Sequence, residues 1–425
     1  MRRAGSLALL AALALAATSA AAAESAPAAT PPAAALAELI TAAGARLRGS
    51  PRIAQGQLTL GSVNVPLEQL VALSFPGQQN SHLDQGVVLC SGEVLAGVVV
   101  SLQADKLTLA SDHFGTLVLP LAKVQQLVLT PCPLSGFGGS SGGGARALGA
   151  ASGAILNNGD QLAGAVSFVN DAVVGINNGR RIVEVARARV AQVCLAAAAP
   201  AKDGGKDSKD SKDSKDSKEP KDAKPAGAVQ HLRLVTGERL SGRVQSLDEQ
   251  TLVLETAWGG SQRVPAGLLS SLWSEGGTLT PLSTVKAQAV KLIGQFDEAF
   301  AVVDDRNLHG GFLTVAGLRA ERGLGCQART ELSYQLDGSM SALVGEVGIE
   351  DDAGGLGSAA VQVFVDGKVA FNVAARAGAP AQLMVVPLSG AKLLQLVVDF
   401  GPGSALAGAA DVMWPCLVRG VAPGG

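Results

Sequence analysis

One stretch decides the fold of the C-terminal third of this 425-residue chain: Gly323-Leu-Gly-Cys-Gln-Ala-Arg-Thr-Glu-Leu-Ser-Tyr-Gln-Leu-Asp-Gly338. After a turn of small residues, Leu332, Tyr334 and Leu336 alternate with polar residues, and Asp337-Gly338 ends the stretch. Alternation with a period of two predicts a strand with one buried face, and an Asp-Gly pair predicts a tight turn. We therefore expect Tyr334 to lie in a core.

The same pattern recurs further along the chain. Short β-branched runs separated by Asp-Gly and Gly-Gly turns are found at Val347-Gly-Ile-Glu-Asp-Asp-Ala-Gly-Gly355, Val361-Gln-Val-Phe-Val-Asp-Gly-Lys368 and Leu388-Ser-Gly-Ala-Lys-Leu-Leu-Gln-Leu-Val-Val-Asp399. Several such strands in succession are typical of an antiparallel β-sandwich.

These blocks, in this order, resemble the NPCBM family (novel putative carbohydrate-binding module), a β-sandwich (jelly roll) of the galactose-binding-like type. The resemblance covers residues 278–420 and implies a non-catalytic binding module with ligand contacts at Gln327, Asp411 and Trp414. The chain departs from the family pattern where Gln327 replaces a histidine and where only Ala410 and Asp411 remain of an Asp-His-Ala-Asp-Trp motif. Because terminal strands lie side by side in this type of sandwich, the resemblance also implies a Cys326–Cys416 disulfide.

The composition limits the function classes. The net charge is −2, so no global electrostatic argument favours nucleic acid or an anionic membrane as a partner. Hydrophobic residues make up 47% of the chain and aromatic residues only 3%, with 53 glycines. This composition is typical of many small β-units joined by glycine turns, and it leaves few aromatic side chains for stacking on RNA bases.

The N-terminus predicts export. Arg2-Arg3 precede a short apolar run from Leu7 to Ala17 and then an Ala-x-Ala region, which together describe a signal peptide at residues 1–23. The apolar run is too short to span a membrane. We therefore expect a secreted or periplasmic protein. Among the other three cysteines, Cys90, Cys132 and Cys194, at least one has no partner within the chain.

The first two thirds of the chain carry a fourfold internal repeat. Each copy contains Gly-x-x-Leu-x-Gly, at Gly44–Gly49, Gly92–Gly97, Gly159–Gly164 and Gly237–Gly242. An apolar stretch follows each motif, so we predict small barrel-like β-repeats, similar to Sm-like or SH3-like units, at residues 38–76, 85–130, 153–196 and 228–275. The second glycine of each motif falls inside a strand, where it permits a sharp bend or a close backbone approach.

Two linkers separate these repeats. Residues 131–152 are rich in Gly and Ser, and residues 197–227 repeat Lys-Asp-Ser. A charge-balanced tract without apolar residues cannot bury enough surface to fold, so we predict that the second linker is disordered.

The sequence matches motifs for catalysis and for metal binding only weakly. The four histidines show no metal-ligand spacing, and Gly138-Gly-Ser-Ser-Gly142 lacks the strand and helix that a nucleophile elbow requires. Apart from one candidate calcium site, we predict no catalytic residue and no cofactor. The cluster Glu350-Asp351-Asp352 is interpreted either as solvated turn residues or as a calcium site, because hard cations take carboxylate and carbonyl oxygens.

Sugar rings present apolar C–H faces to exposed aromatic side chains. Trp414 is the best candidate for such a platform, and Trp258 lies in a turn that we expect to be exposed. The sequence thus favours an exported, mostly β protein that binds glycan or an envelope polysaccharide through its C-terminal sandwich. The alternative is a structural or protein-interaction scaffold of the cell envelope, in which the sugar site is degenerate and the partners are proteins.

Overall fold

The computed structural model describes residues 36–76, 84–103, 105–130, 152–195, 227–294, 300–353, 357–401 and 408–421. The predicted signal peptide, most of both linkers, His82 and Cys132 lie outside these residues. The described chain is mostly β, in antiparallel sheets, as predicted. None of its helices is long and apolar enough to cross a membrane.

Four segments with the Gly-x-x-Leu-x-Gly motif form what we call units 1 to 4. Unit 1 contains β1 (Ala37–Thr41), β2 (Arg46–Gly49), β3 (Pro51–Ala54), β4 (Gln57–Leu60), β5 (Val63–Pro66) and β6 (Leu70–Ser74). Unit 2 contains β7 (Gly86–Leu89), β8 (Val94–Ala96), β9 (Val98–Gln103), β10 (Lys106–Ser111), β11 (Gly115–Pro120) and β12 (Val124–Val128). Unit 3 contains β13 (Gly153–Leu156), β14 (Gln161–Ala163), β15 (Ala165–Val169), β16 (Val173–Asn177), β17 (Ile182–Ala186) and β18 (Val190–Cys194). Unit 4 contains β19 (Val229–Leu234), β20 (Arg239–Leu247), β21 (Thr251–Thr256), β22 (Gly260–Pro265) and β23 (Leu269–Glu275).

Each unit has the same strand order. In unit 4, β20 pairs with both β19 and β21, β21 pairs with β22, and β23 returns to pair with β19. A 3-10 helix precedes the last strand of every unit, at Leu67–Gln69, Leu121–Lys123, Arg187–Arg189 and Ala266–Leu268. Among the described residues no ladder joins the last two strands of a unit, so the barrels are open at that side.

The second glycine of the motif has the role that the sequence predicts. A Cβ atom on Gly242, inside β20, would lie 2.1 Å from the Glu255 carbonyl oxygen of the neighbouring strand. The equivalent Gly97 has a φ of +150° and would place a Cβ 2.4 Å from the Ala110 carbonyl oxygen. Glycine is therefore required at this position because the backbone of the neighbouring strand leaves no room for a side chain.

The units associate in pairs through their last strands. Strand β6 of unit 1 pairs with β23 of unit 4, where Leu73 faces Leu272. Strand β12 of unit 2 pairs with β18 of unit 3, where Leu127 faces Val193. One hydrophobic core extends through all four units.

Units 2 and 4 exchange equivalent hydrogen bonds through two buried glutamates. Glu93 Oε1 accepts from the Ser241 amide at 3.3 Å, and Glu238 Oε1 accepts from the Ala96 amide at 3.3 Å. Glu93 Oε1 also accepts from Trp258 Nε1 at 3.1 Å. Trp258 is only 8% exposed, so the prediction that it is exposed is wrong: its turn packs against unit 2.

The C-terminal part is a sandwich of two sheets, as predicted. The strands of sheet I are β24 (Leu279–Pro281), β26 (Val303–Asp304), β29 (Gly323–Cys326), β31 (Met340–Ile349), β34 (Gln382–Pro387) and β36 (Ala410–Arg419). Those of sheet II are β25 (Ala289–Leu292), β30 (Thr330–Gln335), β32 (Ser358–Val365), β33 (Lys368–Arg376) and β35 (Leu393–Phe400). Sheet I is ordered β26-β29-β36-β31-β34, with β24 beside β36, and sheet II is ordered β25-β30-β35-β32-β33. A hairpin of β27 (Leu313–Val315) and β28 (Leu318–Ala320) and the 3-10 helices Leu282–Thr284 and Asp351–Ala353 complete the sandwich.

Both faces of sheet I are covered. Its inner face meets sheet II in a core that contains Leu332 and Tyr334, each 2% exposed, which confirms the predicted position of Tyr334. Its outer face packs against Ile40 and Val71 of unit 1 and Trp273 of unit 4. The sandwich is therefore joined to units 1 and 4 by an apolar contact.

Candidate functional site at one edge of the sandwich

Four predicted acidic residues meet at one end of β31 and β36, two inner strands of sheet I, at an edge of the sandwich. Gly348 of β31 lies opposite Asp411 of β36, so Glu350, two residues further, leaves β31 on the same face as Asp411. Asp351 and Asp352 follow in the short 3-10 helix. We call Glu350, Asp351, Asp352 and Asp411 the acidic edge.

The carboxylates of the acidic edge hold neighbouring backbone turns. Asp351 accepts hydrogen bonds from the amides of Ala316 (2.7 Å) and Gly317 (2.9 Å), which form the turn between β27 and β28. Asp411 Oδ2 accepts from the Thr314 amide at 2.8 Å. The acidic edge thus fixes this hairpin to the end of sheet I.

Two further residues complete the site. Asn307 Nδ2 donates to Asp352 Oδ2 at 2.6 Å, and Asn307 Oδ1 accepts from the amides of His309 and Gly311 at 3.1 and 2.8 Å. His309 Nε2 lies 3.1 Å from Glu350 Oε1, and its side chain is 65% exposed. Neither Asn307 nor His309 was predicted as a site residue from the sequence. An Asn shortly before Gly310-Gly311 is a turn signal that would have identified the loop but not its partners.

Burial governs the electrostatics of this edge. Asp411 is fully buried, and this burial raises the pKa of its carboxyl to about 8, although the hydrogen bond from the Thr314 amide opposes the rise. Glu350 is 1% exposed, and burial raises its pKa too, while His309 lowers it. Asp411 Oδ1 and both Glu350 oxygens have no aligned hydrogen-bond partner. At neutral pH Asp411 is therefore mostly protonated and can donate a hydrogen bond.

The predicted calcium site stays a prediction. Asp351 and Asp352 direct their carboxylates to a backbone turn and to Asn307, while Glu350 faces His309. Within the described residues, no group of three or more His, Cys, Asp or Glu side chains is arranged to hold a metal ion.

The three predicted sugar-contact residues are not brought together. Gln327 is half-buried and follows Cys326, which lies opposite Ala410, so Gln327 and Asp411 lie at the same end of the β29–β36 ladder. Trp414 lies further along β36, is 4% exposed, and its ring centroid is 5.5 Å from that of Trp273 in unit 4. The expectation that Trp414 is an exposed platform is therefore wrong, because units 1 and 4 cover the face on which it lies.

The predicted Cys326–Cys416 disulfide is also wrong, since both thiols are free. Strands β29 and β36 do lie side by side, but Cys326 pairs with Ala410, six residues before Cys416. Six residues of strand span about 20 Å, whereas a disulfide requires Cα atoms within about 7 Å. The two thiols also belong to different apolar clusters, and burial raises the pKa of Cys416 to about 12.

Comparison with known proteins identifies the relatives of the sandwich. Residues 285–413 match the family model described as the NPCBM/NEW2 domain, which confirms the resemblance drawn from the sequence. No curated protein matches the chain.

Among solved structures, this chain is similar to a CBM51 module of a Clostridium perfringens GH95 protein in complex with methyl-galactose. That match has 20% identity and a TM-score of 0.31, and it covers 33% of this chain and 100% of the other. It is also similar to the tandem CBM51 modules of the family 98 glycoside hydrolase from Streptococcus pneumoniae SP3-BS71, with 14% identity and a TM-score of 0.30 over 45% of this chain and 71% of the other.

Proposed function

We propose that this is an exported, non-catalytic protein that binds glycan or an envelope polysaccharide through its C-terminal sandwich. The observation that carries the proposal is the match of residues 285–413 to the NPCBM/NEW2 domain. The basic and apolar start of the chain supports export. The CBM51 module complexed with methyl-galactose makes galactosides a reasonable first class of ligand to test.

Within the sandwich, we propose that the ligand binds at the acidic edge. Units 1 and 4 cover the outer face of sheet I, so a polysaccharide has access to the edges of the sandwich and to sheet II. At the acidic edge, His309 and Asp352 are exposed and are held by Glu350 and Asn307. Imidazole and carboxylate groups both form hydrogen bonds with hydroxyl groups, which sugars present in number.

The proposal excludes catalysis by this edge. Asp411 and Glu350, the two carboxyl groups with raised pKa values, are 0% and 1% exposed. A glycosidase needs two carboxyl groups that flank the scissile bond of a bound substrate. Groups buried to this extent cannot flank a bound sugar; Asp411 instead holds the hairpin through the Thr314 amide, and Glu350 faces His309.

The test is binding of the full chain to a panel of neutral and acidic glycans, with and without calcium. We expect saturable binding that His309→Ala and Asp352→Ala weaken by about tenfold each, because each removes a hydrogen bond to the ligand. Glu249→Gln, at a 73% exposed position in unit 4, is the matched control and should bind like the wild type. Calcium dependence would support a metal at Glu350, Asp351 and Asp352. Equal binding by His309→Ala and wild type would refute the assignment to this edge.

A second candidate function is a scaffold in which the sandwich holds the units together. It is favoured by the contact between sheet I and units 1 and 4, where Arg322 donates to both oxygens of Glu275 at 2.6 and 3.0 Å and Trp414 packs on Trp273. In this case the folded full chain binds no glycan of the panel, and the search for partners moves to proteins of the envelope.

A further inference from the structure

Four arginines converge where unit 4 meets the sandwich. Arg233 and Arg239 come from β19 and β20 of unit 4, Arg319 comes from β28, and Arg306 follows β26. They surround one carboxylate, that of Glu321, which is 2% exposed. We call Arg233, Arg239, Arg306 and Arg319 the arginine cluster.

Glu321 does not balance the charge of the arginine cluster. Its oxygens lie 4.0 Å from Arg233 Nη1, 3.8 Å from Arg239 Nη2 and 2.8 Å from Arg319 Nη2, so only Arg319 lies within hydrogen-bonding distance of this carboxylate. Four guanidinium groups facing one carboxylate leave an excess of three positive charges, which falls to two when the adjacent Arg322, Asp305 and Glu275 are counted.

The neighbouring acidic groups are already used. Arg322, a fifth arginine, donates to Asp305 at 2.6 Å and to Glu275 at 2.6 and 3.0 Å. Arg233 and Arg239 also face each other directly in the β19–β20 ladder. Like charges at such a position destabilise a sheet unless a counter-charge lies between them.

Several donors of the cluster point at no acceptor. Arg233 is 4% exposed, and its Nε and Nη1 have no hydrogen-bond partner; the same holds for Nε of Arg239 and of Arg319. The Arg319 guanidinium carbon lies 3.1 Å from the centroid of the Phe312 ring, which fixes its plane. Burial lowers the pKa of Arg319 to about 10. A buried guanidinium N–H group without an acceptor is costly, so these unpaired donors favour a bound anion.

We propose that the arginine cluster binds an oxyanion (a phosphate, sulfate or carboxylate group) at the junction of unit 4 and the sandwich. The forked donors of arginine match the oxygens of such a group, and Arg239, Arg306 and Phe312 are only half-buried, which leaves the site open to solvent. The anion is either a free ion or an anionic group on an envelope polymer. This inference is independent of glycan binding at the acidic edge.

The test measures thermal unfolding and calorimetric binding of the full chain with inorganic phosphate, against chloride at equal ionic strength. We expect phosphate to raise the melting temperature in a saturable way. Arg239→Gln and Arg306→Gln should weaken phosphate binding by about tenfold or more, since each removes charged hydrogen bonds. Arg263→Gln, at an exposed position of β22, makes the same charge change outside the cluster and should leave the phosphate response unchanged.

A second arm of the experiment distinguishes a free anion from an anionic group on a polymer. Polygalacturonate that binds and is displaced by phosphate would place the anionic group on a polymer, whereas a phosphate response without polygalacturonate binding would indicate a free ion. Both results support an oxyanion site. The proposal fails if phosphate has no saturable effect, or if Arg239→Gln and Arg263→Gln respond to phosphate alike. It also fails if Arg239→Gln stabilises the chain equally in chloride and in phosphate, because the excess charge would then have no counter-ion.

Discussion

Replacing Trp414 by Ala distinguishes a packing role from a sugar platform. Trp414 is 4% exposed, its ring lies 5.5 Å from Trp273 at 49°, and it shares an apolar cluster with Met413 and Val418. Truncating a buried tryptophan to alanine costs about 3–5 kcal/mol, of which the aromatic pair accounts for about 0.5–1.5 kcal/mol. We therefore expect Trp414→Ala to lower the free energy of unfolding by about 4 kcal/mol.

The assay is urea denaturation of the full chain followed by far-UV circular dichroism, which does not depend on the removed fluorophore. Trp414→Phe keeps an aromatic ring in the cluster and should lose less stability than Trp414→Ala. Val290→Ala, at a 53% exposed position of β25, should change the free energy of unfolding by less than about 0.5 kcal/mol. A Trp414→Ala protein that keeps its stability but loses glycan binding would refute this reasoning and restore the platform hypothesis.

Three further predictions concern buried groups. Because the native pKa of Asp411 is raised to about 8 from its ordinary value of 3.8, the native state binds more protons between these values, so stability falls as pH rises through this range; Asp411→Asn should flatten this fall, and an unchanged slope in the pH titration of stability would contradict the assignment. Gly242→Ala should cost about 1–3 kcal/mol by overpacking against a backbone carbonyl, whereas Gly267→Ala, with no atom within 4 Å of its Cβ, should be nearly neutral in thermal denaturation. Glu93→Ala removes the hydrogen-bond acceptor of Trp258 Nε1 and should lower the free energy of unfolding by about 1–3 kcal/mol. Equal melting temperatures of the variant and the wild type would disprove this prediction.

Much of the fold could be predicted because buried strands alternate with a period of two. Leu332, Tyr334 and Leu336 of β30 are 2%, 2% and 6% exposed, as that period requires. The position of Trp414 could not be predicted in the same way. Strand β36 is buried on both faces, so its side chains show no alternation from Asp411 to Val418. A continuous apolar run is typical of a strand that is covered on both faces, but it does not show which elements cover the second face.

The candidate site was predictable in part. The acidic residues at 350–352 and Asp411 were selected from the sequence, but only the β31–β36 register brings Glu350 to the face of Asp411. Register is a property of pairing between distant segments and cannot be derived from either strand alone. The same limit explains why the predicted disulfide is wrong. The strands of Cys326 and Cys416 were correctly expected to be adjacent, but the sequence does not show that the two cysteines are offset along the ladder.

The pairing of the four units is nested along the chain: unit 2 joins unit 3, and unit 1 joins unit 4 around them. Translation therefore completes the inner pair first, while β6 of unit 1, which pairs with β1 on one side, keeps its other side unpaired until β23 of unit 4 has been made. An unpaired strand edge is a template for other chains. A chain that ends before unit 4 is thus expected to self-associate through β6, which makes unit 4 the piece that closes the assembly and protects its first-made edge.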